Sequence, residues 1–355
     1  MTPEFCLSES FRRHIKTVYS QRELSRIAID EAHCISEWGH DFRTAYKELI
    51  WFKREFSDVP IMCLTATATQ RVREDIITTL GLDEDQLKTF TMTTSRRNLH
   101  YEVRFKSDDT DHFLDFLAWL QAVHNRRSLD PTRKAELTAK GERLDAVSGI
   151  IYTSFRKDCE TLASRLRSHN IGAAPYHAGL SAFDREDCQR KWLADEPGYD
   201  IIVATTAFGM GIDKENVRFV VHWQIPKSFE GFYQEAGRAG RDGKASLHIM
   251  YYSRGDRDRA AYRISKDQKP SAGPQSLGRK KSFQTLVEYC EHTERCRHRL
   301  ICEYFGEEGL PECDYACDWH KDKVALKKRK SEGLACEEWV STQSERPEFY
   351  GEGYD

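Results

Sequence analysis

Asp30-Glu31-Ala32-His33-Cys34-Ile35-Ser36-Glu37-Trp38-Gly39-His40-Asp41-Phe42 is the run whose reading decides the fold. Leu24, Ile27, Ala28 and Ile29 lead apolar into the first acid, which predicts a buried parallel strand ending at Asp30. Two carboxylates where such a strand emerges suit phosphate chemistry. Asp30 would hold Mg²⁺ on the phosphates through water, Glu31 would polarise an attacking water, and His33 would sense the nucleotide state. Four such residues alone also fit a solvated strand tip. Trp38, His40, Phe42 and Arg43 directly behind them do not.

The bulk numbers bound the answer. At 355 residues, 39% hydrophobic and 31% charged, the chain reads as two or three soluble domains. A net charge of −3 excludes a polycation, so any nucleic-acid surface is a local patch. No apolar run approaches the ~18 residues of a membrane span, and the start (MTPEFCLSES) lacks a signal peptide's apolar core. An intracellular protein is expected. Its eleven cysteines then read as reduced core or metal-binding residues. Cys6, Cys34, Cys63, Cys159, Cys188 and Cys336 are scattered and taken as structural.

Apolar strand candidates alternate with amphipathic stretches, the rhythm of parallel α/β domains. Ile27–Asp30 and Ile61–Leu64 belong to one domain. Gly149–Tyr152, Ile201–Ala204, Phe219–His222 and Leu247–Tyr251 belong to a second. A helix is expected over His112–Val123, and the polar stretch 125–148 reads as a solvated insertion. The expected division is 1–94, 95–265, a linker at 266–282, a Cys/His module at 283–326 and a basic, disordered tail at 327–355.

Three further stretches carry chemistry. Thr65-Ala66-Thr67-Ala68 follows the second strand, where small hydroxyl side chains can relay hydrogen bonds or merely cap a helix. Ala204-Thr205-Thr206-Ala207-Phe208-Gly209-Met210-Gly211-Ile212-Asp213 has glycines that would let backbone amides approach a phosphate, and Asp213 would face the nucleotide side. Gln234-Glu235-Ala236-Gly237-Arg238-Ala239-Gly240-Arg241-Asp242-Gly243 sets two arginines three residues apart, on one face if helical. An arginine so presented can neutralise charge developing on a γ-phosphate. Near the end, Cys313-x3-Cys317-x2-His320 with Cys296 upstream suits a tetrahedral Zn²⁺ site, although Cys290 and Cys302 could compete as ligands.

The aromatic extension behind Asp30–His33 resembles that of RecQ-family DNA helicases of superfamily 2, and the other stretches resemble that family's third, fifth and sixth motifs. Tyr176-His177-Ala178-Gly179-Leu180 is similar to its fourth-motif region, and Thr2-Pro3-Glu4 to an element inside its first motor domain. The resemblance implies two RecA-like parallel-sheet domains, the first incomplete, followed by a small helical zinc-binding module. It implies ATP, Mg²⁺ and Zn²⁺ as cofactors, single-stranded or duplex-junction DNA as partner, and a nuclear location. Arg241 would be the finger, Arg238 would lie beside the phosphates, and Gln234 would couple the sites. Thr65, Thr67, Gly209 and Asp213 would line the nucleotide. Trp38, His40, Phe42, Arg43, His177 and Thr205 would meet DNA. Cys296-Arg297 and Tyr304-Phe305-Gly306-Glu307 match the zinc module, in which His320 stands where the family usually has cysteine. The basic run Lys327–Lys330 reads as a nuclear address, a phosphate contact or a solvated patch.

No G-x-x-x-x-G-K-[ST] run occurs, so the amide cradle and lysine for the β- and γ-phosphates are missing. The expected protein is therefore an N-terminally truncated ATP-dependent 3′-to-5′ helicase motor, inactive as it stands. The rival is a non-catalytic DNA-binding or interaction fragment.

Overall fold

A computed structural model describes residues 1–37, 41–107, 111–209, 212–266, 274–308, 313 and 316–341. The chain divides into two compact units.

The first unit is built on residues 1–97, joined by 226–237 and 260–314. Its sheet pairs β1 (Ile27–Ile29) with β2 (Ile61–Cys63) in parallel, Ile29 opposite Cys63. Helices Glu9–Ser20, Ile50–Glu55 and Gln70–Leu80 supply apolar faces to this pair. Phe11, Trp51, Phe52, Phe56, Val72, Ile76 and Leu80 close one core with Ile27, Ile29 and Ile35. Ser8 caps the first of these helices, its Oγ accepting from Phe11 N–H, and left-handed Gly81 ends the third. Helices Phe229–Ala236, Pro274–Glu291 and Arg297–Tyr304 pack through aromatic rings, with Phe229 stacked on Tyr304 at 4.1 Å.

The second unit, on 98–225 and 238–259, is a six-stranded parallel sheet. Its strands are β3 (Leu99–Phe105), β4 (Gly149–Tyr152), β5 (Ala173–Tyr176), β6 (Ile201–Ala204), β7 (Phe219–His222) and β8 (Ser246–Tyr252), in the order β3-β8-β7-β4-β6-β5. Strands β4, β6 and β7 are buried at every position, as a sheet with both faces covered demands. β3 lies at the edge, and its outer side is blunted. Tyr101 N–H donates to Ala316 O at 3.1 Å and Val103 N–H to the Asp318 carboxylate at 3.0 Å.

Three stretches differ from the sequence reading. The expected helix over His112–Val123 runs Phe113–Leu129, into the stretch 125–148 that was expected to be a solvated insertion. Asp130 caps a further helix, Pro131–Ala139, that buries Leu137, and buried Arg127 donates to Arg143 O at 2.8 Å. Every residue of that helix except Leu137 is exposed, in keeping with the solvated character that the charge content predicts. The second half of the expected linker is the start of helix Pro274–Glu291, whose Ser282 is buried. Helix Lys323–Ser341 occupies much of the expected tail, anchored by Leu326 and Leu334; the remainder, 342–355, lies outside the described residues. Strands β3 and β5 were not among the expected strands.

Two outcomes follow from the sheet. A Cβ on Gly149 would sit 2.1 Å from the Phe219 ring on the adjacent strand. Gly149→Val should therefore destabilise the second unit by roughly 1–3 kcal/mol or more, read as a lowered urea midpoint. His248 and His222 face each other on β8 and β7, Nε2 to Nδ1 at 2.8 Å. Burial, reinforced by His222, holds His248 well below its ordinary pKa. The unfolded chain takes that proton near pH ~6.5 while the native one refuses it, so stability falls as pH drops through that value. His248→Gln should show a smaller loss of urea midpoint on acidification than the unaltered chain.

Candidate nucleotide site and metal centre

The β1–β2 pairing carries the ends of both strands into one corner. Leu64 N–H donates to Ile29 O and Ala32 N–H to Leu64 O, each at 2.9 Å, which pins Asp30–His33 beside Thr65. Asp30 is exposed, and its Oδ1 accepts from Glu31 N–H at 2.9 Å. Glu31 adopts φ 50° and ψ 41°, a left-handed conformation costly for a non-glycine residue and found mainly where surrounding structure enforces it. From there Glu31 Oε2 lies 3.3 Å from His33 Nδ1, which lies 3.1 Å from Thr65 Oγ1. Thr65 Oγ1 accepts from Thr67 N–H at 3.3 Å, and Gln234 Nε2 donates to Thr67 Oγ1 at 3.2 Å. Glu31, His33, Thr65, Thr67 and Gln234 thus form a continuous polar chain. Two members, His33 and Thr67, are almost fully buried.

Behind the acids, Cys34 Sγ lies 3.7 Å from His33 Nε2 and 3.8 Å from Asp41 Oδ2. Burial and the Asp41 carboxylate push the Cys34 thiol up to about 12. Arg43 pairs with Asp41 at 2.9 Å, and the Lys47 ammonium sits 5.5 Å from the Phe42 ring centre. Trp38 and His40 lie outside the described residues.

In the second unit, Arg241 Nη1 donates to Ile212 O at 2.9 Å and pairs with Asp213 at 3.0 Å. That carboxylate is largely solvated, so the pair holds the guanidinium weakly. Arg238 lies alongside Gly209: a Cβ there would stand 3.4 Å from Nη2. Its buried Nε has no hydrogen-bond partner among the described residues. Thr205 Oγ1 accepts from Ala207 N–H at 3.5 Å and shapes the turn after β6. His177 is buried, with Nδ1 accepting from Gly179 N–H at 3.2 Å and Nε2 3.2 Å from Glu160. Its ring orders a turn, which is how a packed histidine behaves.

Cys296, Cys313, Cys317 and His320 place one ligand atom each within 4.8 Å of the others. Cys317 Sγ and His320 Nδ1 are 3.3 Å apart. Three buried sulfurs and an imidazole so converged fit a closed tetrahedral Zn²⁺ shell. Cys302 points elsewhere, accepting from Thr94 Oγ1 at 3.6 Å, and neither it nor Cys290 joins the cluster.

One functional connection escaped the sequence reading. Thr93–Arg96 is anchored through hydroxyl and amide groups: Thr93 Oγ1 and Thr94 N–H donate to Glu307 at 2.8 and 2.5 Å. Ser95 Oγ is 3.2 Å from His298, Tyr233 OH donates to Thr94 O at 3.1 Å, and Arg96 to Gly237 O at 2.7 Å. The segment 233–237 around the Gln234 helix and the segment 298–307 after Cys296 therefore hold these four residues between them. Only the hydroxyl-rich composition Thr-Thr-Ser hinted at it.

Parallel sheets, two acids at the end of β1, two arginines between helix Phe229–Ala236 and β8, and a Cys/His cluster beyond them place the chain among the helicase families. A DEAD/DEAH box helicase model matches residues 1–76, a helicase conserved C-terminal domain 135–243 and a RecQ zinc-binding model 254–321. The chain belongs to the RecQ family of helicases. It is 38% identical to mouse ATP-dependent DNA helicase Q5 over 354 residues, covering 96% of this chain and 34% of that protein. It is 40% identical to ATP-dependent helicase SGS1 of Saccharomyces cerevisiae, covering 88% and 20%. It is 39% identical to ATP-dependent DNA helicase RecQ of Bacillus subtilis, covering 88% and 47%. The chain thus spans between a fifth and a half of the length of these relatives. No helix of the described residues is long and apolar enough to cross a membrane.

The metal centre makes a direct prediction. Purified protein should carry about one Zn²⁺ per chain. Cys317→Ser should release it, His320→Cys should retain it, and His320→Ala should weaken retention against a chelator, all read by metal analysis. Zinc unaffected by His320→Ala would remove His320 from the ligand set.

Proposed function

We propose that this chain is part of the motor of an ATP-dependent 3′-to-5′ DNA helicase that unwinds duplex junctions in the nucleus. The observation that carries the reading is the polar chain from Glu31 through His33, Thr65 and Thr67 to Gln234. A carboxylate that orients water is useful to a motor only if its position depends on something remote. This chain of hydrogen bonds links it to the helix that precedes both arginines.

Bound Mg·ATP supplies the phosphoryl group, and the chain's own residues would divide the remaining work. Asp30 would hold the ion through water. Glu31 would orient the nucleophilic water, with His33 fixing its carboxylate. Arg241 would leave Asp213 to meet charge on the phosphoryl oxygens, a favourable exchange because the pair it gives up is solvent-screened. Arg238, Gly209 and Thr205 would flank the phosphates. Phe42 and Arg43, with Trp38 and His40, would contact bases and backbone without sequence preference, since aromatic faces stack on any base.

We further propose that these 355 residues alone turn ATP over negligibly, because no glycine-rich lysine loop cradles the β- and γ-phosphates. DNA-stimulated turnover of the chain above that of Glu31→Gln would overturn this. With such a loop supplied upstream, Arg241→Ala should cut turnover by about 10³-fold or more, with or without DNA. Thr65→Val should instead abolish DNA stimulation while sparing nucleotide affinity. Stimulation unchanged in Thr65→Val would make the polar chain packing alone.

A further inference from the structure

We propose that His33, Cys34 and Asp41 form a second metal site, for a thiophilic divalent ion of the Zn²⁺ and Cd²⁺ class, separate from the Cys296–His320 centre. Their donor atoms all lie within 4.8 Å of one another. A tetrahedral ion with bonds of about 2.3 Å to sulfur and about 2.0 Å to nitrogen or oxygen sets those donors roughly 3.5 Å apart. The observed 3.7 Å from Cys34 Sγ to His33 Nε2 and 3.8 Å to Asp41 Oδ2 need only small side-chain rotations to match.

The surroundings of His33 strengthen the assignment. Its Nδ1 faces Glu31 Oε2 and Thr65 Oγ1, which favours the tautomer with the proton on Nδ1. The Nε2 lone pair then points toward Cys34. A carboxylate holding the far nitrogen of an imidazole is the support that metal-ligating histidines receive in zinc proteins. Arg43 Nη2 donates to that same Asp41 Oδ2 at 2.9 Å and fixes the position of the carboxylate.

The donor set also selects the ion. Mg²⁺ prefers an all-oxygen octahedron and has no use for a thiolate, so this site differs from the one Asp30 would serve. On binding, the Cys34 thiol gives its proton to solvent and the sulfur–metal bond replaces it. Three protein donors leave a fourth position for water, an open shell unlike the closed Cys₃His centre.

The test uses the full chain with its structural zinc in place, titrated with Cd²⁺ and then passed through a desalting column. Metal analysis should give one retained Cd²⁺ beyond the ion at the Cys₃His centre, with a sulfur-to-cadmium charge-transfer band in the ultraviolet. Both should be lost in Cys34→Ser. Asp41→Asn, a nearly isosteric change on a partly exposed residue, should weaken retention at least tenfold and serves if Cys34→Ser does not fold. Absence of a further retained ion in the unaltered chain overturns the proposal. So does an additional ion that survives either substitution with unchanged affinity.

Discussion

The pairing of β1 with β2 is the constraint on which the candidate site depends. Parallel hydrogen bonds set Ile29 beside Cys63, so the residues that follow each strand leave the sheet together. Asp30–His33 and Thr65–Thr67, more than thirty positions apart in the chain, become neighbours for that reason. A slip of one residue would turn every side chain of the short strand to the opposite face and separate His33 from Thr65. The aromatic core of Phe11, Trp51, Phe52 and Phe56 secures the register, because the apolar residues of β1 have somewhere to go in one register only.

Around this corner the first unit accumulates polar groups that are buried and satisfied. His33 and Thr67 are bonded within the polar chain, and Glu230 accepts from Ser282 and Tyr304 beneath helix Phe229–Ala236. Such networks specify geometry when complete and are costly when broken. Their arrangement ties the Gln234 helix to the hydroxyls after β2 on one side. On the other, it ties that helix to Thr94 and to Phe305 at the end of the helix that starts at Cys296.

In the second unit the same physics acts through the sheet. Its central strands β4, β6 and β7 carry apolar or small side chains apart from Tyr152 and His222, and Thr205, Gly209 and Asp213 follow the carboxyl end of β6. Ligands of open parallel sheets bind at that end, where loops leave the strands. Arg241 is already turned toward Asp213 there.

What the sequence determined by itself was local and compositional. Continuous apolar runs marked β4, β6 and β7 to the residue, since a strand covered on both faces needs no alternation. Acids, glycines and arginines in fixed order marked candidate groups for phosphate chemistry, and Cys-x3-Cys-x2-His marked a candidate metal site. Only the tertiary structure decided which groups meet. It gathered the donor atoms of Cys296, Cys313, Cys317 and His320 and left Cys290 and Cys302 out of that group, because convergence of donors is a property of packing. It made a helix of a charged stretch at 131–139 through one buried leucine, and a strand of 99–105 by covering an edge. It buried His177, and it set Cys34 between His33 and Asp41. Those contacts join residues whose separation along the chain carries no information about distance, and only burial and register can supply it.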